Sequence, residues 1–142
     1  MKIERKELIQ APIDRVWATI GTAEGTREWF KVTVEGEWKA GNDVTLTWNS
    51  GSRTEIRLLT IEAPHRFAYQ WHPGVSALLS EFPEGELTTV TFELRETPEG
   101  TELLLTETGF DRISEDRQLQ ALGLNTAGWE EEIQVIRATA ER

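Results

Sequence analysis

Three side chains in this 142-residue chain are the candidates for general acid–base chemistry at one site: Tyr69, His72 and Glu107. An unperturbed histidine titrates near neutral pH, and His72 follows Trp71 at the end of a predicted strand, where a pocket would open. Glu107 continues the alternation of Leu103 and Leu105. It is therefore predicted to point inward near the end of the sheet, towards Arg57, a ligand or water. His72 has no identifiable partner in the sequence, so we predict no catalytic residue.

Metal and thiol chemistry have little support in the composition. The chain has no cysteine, which excludes disulfides, thiolate nucleophiles and cysteine-ligated metals. It has only two histidines. A metal site would have to be built from carboxylates at unspecified spacing. We predict no metal and no cofactor.

Aromatic residues are the second candidate for function, since six tryptophans are many for a chain of this length. Tryptophan packs in cores and also forms the walls of sites for apolar ligands. A filled core and a ligand pocket are both compatible with this pattern. The residues predicted to line a pocket are Trp38, Trp48, Ile56, Leu58, Phe67, Tyr69, Trp71, Phe92, Leu105, Glu107, Thr126 and Trp129. The segment over residues 72–86 is predicted to be irregular and contains four apolar residues: Val75, Leu78, Leu79 and Phe82. These residues could form a lid over the pocket. They could equally belong to a loop packed on the core or to a dimer contact.

The net charge of −10 argues against nucleic acid as a partner, because phosphate binding needs a basic face. The first seven residues are largely charged, unlike a secretory signal, and no apolar run is long enough to span a membrane. We expect a cytoplasmic protein without membrane insertion.

The elements that must position these residues are predicted in the order strand, two short helices, six strands and one long helix. Ala11-Pro12 ends the first strand, because proline stops a strand and suits the first turn of a helix. The first helix is predicted over residues 13–20. The second is a short piece punctuated by Gly21 and Gly25 that reaches about Trp29-Phe30. The long helix is predicted over residues 114–142. The strands are predicted over residues 3–10, 32–38, 44–48, 53–61, 66–71, 87–96 and 101–108.

The last helix is predicted to bury one apolar stripe against the sheet. That stripe is Leu119, Leu122, Thr126, Trp129, Ile133, Ile136 and Ala140. Ser114 is the predicted N-cap, and Glu130, Glu131 and Glu132 are predicted to form a solvated turn. Small residues from Gly123 to Gly128 suggest a recess in the middle of the helix, because glycine there costs about 1 kcal/mol relative to alanine.

Hairpins dominate the strand order, which favours an antiparallel sheet in a single α+β domain over residues 1–142. Several segments together resemble the SRPBCC superfamily, also called START-like or birch-pollen-allergen-like. Within it they are most similar to the domain family named for the activator of heat-shock-protein-90 ATPase homologue. The matching segments are residues 9–17, 28–30, 40–44, 62–71, 89–94, 100–106 and 128–129. Asn42 stands where that family usually has a second glycine.

The resemblance implies a helix-grip fold: a curved seven-stranded antiparallel sheet wrapped around the long C-terminal helix, with two short helices after the first strand. Such families include carriers of apolar ligands, polyketide cyclases and chaperone activators, and they share no catalytic residue.

Three hypotheses follow. The first is a non-enzymatic domain that binds a small apolar or aromatic molecule between sheet and helix. The second is a protein–protein interaction module that acts on a chaperone or associates with itself. The third is a cyclase-like or hydrolase-like enzyme, which requires Tyr69, His72 and Glu107 to converge in one cavity.

Overall fold

The computed structural model describes residues 1–142 and consists of one seven-stranded sheet and three α-helices. All neighbouring strands are antiparallel, and their order across the sheet is β1-β7-β6-β5-β4-β3-β2. The strands are β1 (Ile3–Ile9), β2 (Val32–Glu35), β3 (Asp43–Trp48), β4 (Arg53–Glu62), β5 (Arg66–Trp71), β6 (Thr88–Thr97) and β7 (Gly100–Thr108). The helices are α1 (Ile13–Ile20), α2 (Ala23–Phe30) and α3 (Glu115–Ala140). This is the α+β helix-grip fold that the sequence predicts.

One central strand pair of the curved sheet is irregular. The pairing of β4 with β5 shifts register between Leu58 and Thr60, and such a bulge increases local twist. At the β6–β7 turn, Gly100 has φ +145°, and a Cβ there would lie 2.3 Å from the carbonyl oxygen of Ile9. Only glycine allows β1 to approach that turn.

The two short helices pack against each other and against the inner face of the sheet. In α1 the apolar spacing buries Ile13, Val16, Trp17 and Ile20. In α2 the Thr22 side chain caps the first turn by accepting a hydrogen bond from the Gly25 amide. The two helices therefore cover part of the sheet that α3 leaves free.

Strand β2 is shorter than predicted. It ends at Glu35 rather than Trp38, because Gly36 takes φ +115° and turns the chain out of the extended conformation. The Trp38 indole then folds back and donates a 3.0 Å hydrogen bond to the carbonyl oxygen of Gly21.

The predicted stripe of α3 is wrong at its N-terminal end. Leu119 is 75 % exposed, and Ala121 is buried in its place. The cause is the segment that follows β5: a Cβ on Gly74 would lie 2.9 Å from the Cα of Ala121, so this segment occupies the face of the helix at Ala121. Leu119 lies two residues away, which is about 200° around a helix. Further along the stripe, Trp129, Ile133, Ile136 and Ala140 are buried as predicted.

Ser114 precedes the first residue of α3, as predicted, but its side chain does not cap the helix. Instead Glu86 supplies the acceptor: its Oε1 accepts from the Ser114 amide at 2.7 Å and from the Arg117 guanidinium at 3.0 Å. The hydrogen bond from the Ser114 backbone, with help from Arg117, lowers the pKa of Glu86.

Candidate functional site

The candidate site is organised around Glu107, which is fully buried near the end of β7. Its Oε1 accepts a 2.8 Å hydrogen bond from the indole of Trp129, and its Oε2 accepts one of 2.9 Å from the indole of Trp71. The Thr88 hydroxyl donates to Oε2 at 2.6 Å, and the amide nitrogen of Asn125 lies 3.1 and 2.9 Å from the two oxygens. Every contact comes from a donor, which suits a carboxylate anion.

Three elements supply these donors and a fourth, β7, carries Glu107; their regular geometry explains the convergence. Trp71 ends β5 and Thr88 begins β6, where the two residues are paired in the sheet. Asn125 and Trp129 are four residues apart on α3, so they share one face of the helix. Alternation along β7 points Glu107 to the same side as Leu103 and Leu105. The buried carboxylate therefore joins three strands to the middle of the long helix.

The inward orientation predicted for Glu107 matches this arrangement, but Glu107 does not face Arg57. The Arg57 guanidinium instead donates to Asp43 at 3.2 Å and to Glu84 at 3.1 Å. These hydrogen bonds raise the pKa of Arg57 above its ordinary value. Glu107 is in no ion pair.

An open cleft of about 230 Å³ lies beside Glu107, between the end of β5, the end of α2 and the middle of α3. It is lined by Phe30, Trp71, Asn125, Gly128, Trp129 and Glu132. The rings of Trp71 and Trp129 have centroids 6.0 Å apart and planes inclined by 29°. Since both indole nitrogens donate to Glu107, the orientations of the two rings are fixed by contacts within the protein.

The residues predicted to line a pocket fall into two groups. Trp71 and Trp129 line the cleft, with Glu107 directly behind them. Most of the others fill the space between the sheet and the short helices, where a gap of only about 10 Å³ remains. Around that gap lie Trp38, Ile56, Phe67, Tyr69 and Phe92. Leu58 and Leu105 are fully buried core, and Trp48 packs edge-on against Phe30 at 5.1 Å. Thr126 lies outside the cleft lining and donates to the Leu122 carbonyl oxygen.

Sequence reasoning missed Phe30, Asn125 and Glu132 as cleft residues. Asn125 lies four residues before Trp129 and Glu132 three residues after it, so all three share one face of α3. The position of Trp129 in a helix is therefore enough to predict that Asn125 and Glu132 lie next to it. Glu132 is only half-exposed, unlike the solvated turn predicted for it. Burial, with a smaller effect of Glu131, raises the pKa of Glu132.

The four residues predicted to form a lid do not line the cleft. Their segment is tied down elsewhere. The two ring nitrogens of His72 lie 3.2 Å from the Glu86 carbonyl oxygen and 2.9 Å from that of Leu79. Phe82 packs under the Arg117 guanidinium at 4.4 Å, and Val75 is 42 % exposed. Leu78 and Leu79 are half-buried.

Tyr69, His72 and Glu107 do not form an acid–base pair, since no hydrogen bond joins any two of them. Burial, together with the charges of Glu107 and Glu132, raises the pKa of the Tyr69 hydroxyl well above its ordinary value. The phenol is therefore neutral at physiological pH. No group of three or more His, Asp or Glu side chains is placed to hold a metal ion. None of the helices is both long enough and apolar enough to cross a lipid bilayer.

The fold and the cleft define a helix-grip domain of the ligand-binding type, with its opening between the sheet and the long helix. The model of the family described as "Activator of Hsp90 ATPase homolog 1-like protein" matches residues 10–141, and the chain belongs to that family. This confirms the resemblance noted in the sequence. No curated protein matches the chain.

Solved structures show the same fold at low sequence identity. A protein from Mesorhizobium loti has a TM-score of 0.80 at 20 % identity, with 100 % of this chain and 98 % of that chain covered. The Aha1 dimer from Colwellia psychrerythraea has a TM-score of 0.78 at 14 % identity, covering 99 % and 96 %. CalU16 from Micromonospora echinospora has a TM-score of 0.72 at 22 % identity, covering 98 % and 75 %.

Proposed function

We propose that this protein binds a small apolar or aromatic molecule in the cleft between Trp71, Trp129 and Phe30. The observation that carries the proposal is that one buried carboxylate holds both indole walls by their nitrogens. A site whose walls are already ordered loses little side-chain entropy on binding, so more of the contact energy contributes to affinity. The role is one of binding rather than catalysis, because no acid–base pair lies in the cleft.

The size of the cleft limits the ligand. Its volume of about 230 Å³ is below the roughly 300–1,000 Å³ typical of pockets for drug-sized molecules. An apolar cavity of about 150 Å³ is enough to hold a benzene molecule. We therefore expect a ligand with one or two rings, or an aliphatic group of similar size.

Gly128 gives a direct test, because it lines the cleft and a Cβ there would meet no atom within 4 Å. Gly128→Leu should place an apolar side chain in the cleft, since its Cβ starts from open space. Gly123→Leu is the matched control, since Gly123 is in the same helix, also faces open space and does not line the cleft.

The measurement is an NMR titration with toluene, naphthalene and indole, followed through the indole N–H signals. In the wild type, the signals of Trp71 and Trp129 should shift. Gly128→Leu should weaken binding about tenfold or more, as expected when the contact surface is occupied, and Gly123→Leu should leave it unchanged. Equal loss in both variants, or no shift with any compound, would overturn the proposal.

A second candidate function that we propose is binding of another protein chain through the exposed surface of α3. Leu119 is 75 % exposed and Leu124 52 % exposed on that helix, so both offer apolar surface to a partner. The related structure from Colwellia psychrerythraea is a dimer, which favours a second copy of this chain as the partner.

Sedimentation velocity of the wild type and of a Leu119→Ser/Leu124→Ser variant tests this candidate. It predicts a concentration-dependent dimer that the double variant loses. A wild type that stays monomeric, and that leaves the ATPase rate of a heat-shock-protein-90 chaperone unchanged, would count against both forms of the protein-binding hypothesis.

A further inference from the structure

The cleft offers a ligand almost no hydrogen-bond donor. The indole N–H groups of Trp71 and Trp129 are both directed at Glu107, and the amide nitrogen of Asn125 faces the two oxygens of the same carboxylate. The amide oxygen of Asn125 accepts from the Gly74 backbone at 3.0 Å. Of the polar groups that line the cleft, only the carboxylate of Glu132 makes no hydrogen bond within the protein.

The charge around the cleft is negative and is not neutralised. No Lys or Arg lines it, and neither Glu107 nor Glu132 is in an ion pair. Lys31 is the one cation that lowers the pKa of Glu132, and its effect is smaller than the opposing effects of burial and of Glu131. Burial is the main cause of the raised pKa of Tyr69, and the charges of Glu107 and Glu132 raise it further.

Three of the six residues that line the cleft are aromatic: Phe30, Trp71 and Trp129. The π-system of such a ring carries partial negative charge on its faces. A cation placed near such faces is attracted by them, and the attraction is larger where water is excluded. The Glu132 carboxylate and the aromatic rings therefore both favour a ligand with a positive charge.

We propose that the ligand of this cleft is an organic cation: a small aromatic or alkyl-substituted ammonium whose charge lies beside the Glu132 carboxylate and near the aromatic walls. This inference rests on the proposed function and specifies the ligand class. A carboxylic acid of the same size is disfavoured, because it would meet the Glu132 carboxylate and no free donor, with the buried Glu107 behind the cleft wall.

A pair of isosteric probes separates the charge from the shape. Phenyltrimethylammonium and tert-butylbenzene have the same size and outline and differ by one positive charge. The wild type should bind the cation about tenfold more tightly than the hydrocarbon, in line with cation–π and carboxylate attraction. Phenylacetate, an anion of comparable size, should bind more weakly than both.

Glu132→Gln should weaken binding of phenyltrimethylammonium several-fold and leave tert-butylbenzene unchanged. Glu131→Gln is the matched control: it removes the same charge from the neighbouring position, and Glu131 is exposed and does not line the cleft. It should change cation binding by much less, because exposed charges are screened.

The outcomes separate the two proposals. If tert-butylbenzene or phenylacetate binds as tightly as the cation, or if both Gln variants have equal effects, the inference fails while binding in the cleft stands. If none of the three probes binds, the inference fails, and the proposed function is also wrong when toluene, naphthalene and indole cause no shift.

Discussion

The indole nitrogen of Trp129 donates a 2.8 Å hydrogen bond to the carboxylate of Glu107, and this contact joins the middle of α3 to the end of β7. The two residues are 22 positions apart in the chain. Both are almost completely buried, with Trp129 at 3 % exposure and Glu107 at 0 %. A buried charge is unfavourable unless donors surround it, so the stability of the domain and the shape of its cleft depend on the same contacts.

Replacing Glu107 by glutamine should reduce the free energy of unfolding by about 3 kcal/mol, because an amide nitrogen would then face indole and hydroxyl donors. Glu102→Gln is the control on the same strand; its ion pair with Arg95 is at the surface and should contribute no more than about 1 kcal/mol. Urea unfolding measures both values. Equal small losses would show that the donors around Glu107 do not depend on its charge.

Truncations of Trp129 should separate packing from hydrogen bonding. Trp129→Phe keeps a ring and loses the bond to a charged acceptor, at a cost of about 1.5–3 kcal/mol. Trp129→Ala also leaves a cavity and should cost roughly 3–5 kcal/mol. Thermal and urea unfolding give the two numbers, and a loss below about 1 kcal/mol for the alanine variant is incompatible with a buried Trp129.

Alanine at Gly123 and at Gly128 should each stabilise the protein by about 1 kcal/mol, since both glycines are in α3 and face open space. Gly25→Ala is the opposite case, because its Cβ would lie 1.9 Å from the Ala18 carbonyl oxygen and push the two short helices apart. Melting temperatures of the three variants should therefore move in two directions. Destabilisation by either α3 variant would mean that the helix approaches another surface there.

Glu132→Gln should stabilise the protein at neutral pH. The folded state raises the pKa of Glu132 through burial, so in the window between its ordinary value and the raised value the folded state binds more protons. The effect of Glu132 on the free energy of unfolding is therefore most favourable at low pH, and this advantage is lost as the pH rises through the raised pKa. The advantage of the glutamine variant should therefore be largest near pH 7 and disappear below the pKa of an unfolded glutamate.

Urea unfolding at several pH values, with Glu131→Gln as the control, measures this difference. An advantage that grows as the pH falls would have the wrong sign and would contradict the burial of Glu132.

The fold class could be predicted because its signals are local. Alternation of apolar residues marks β4 to β7, Pro12 marks the start of α1, and the spacing of Trp129, Ile133 and Ile136 marks α3. A strand boundary is not predictable where one backbone angle decides it, as at Gly36: β2 ends at Glu35, three residues before the predicted end at Trp38.

The cleft was only partly predictable. Trp71, Trp129 and Glu107 follow from strand and helix periodicity, but which aromatic residues fill the interior and which face an opening depends on packing. Phe67, Tyr69 and Trp71 share one strand face, yet Phe67 and Tyr69 are buried and only Trp71 lines the cleft. Periodicity assigns a face to a side chain, and it contains no information about what lies opposite.

The sequence by itself determined the order of the elements, the antiparallel sheet, the family and the inward direction of Glu107, because each depends on neighbours a few residues away or on recognisable motifs. Tertiary structure decided the rotation of α3 at Ala121, the burial of Glu132 and the meeting of two indoles at one carboxylate. Those features arise from contacts between segments that are far apart in the chain. Their geometry is set only when sheet, loop and helix exclude water from the same space.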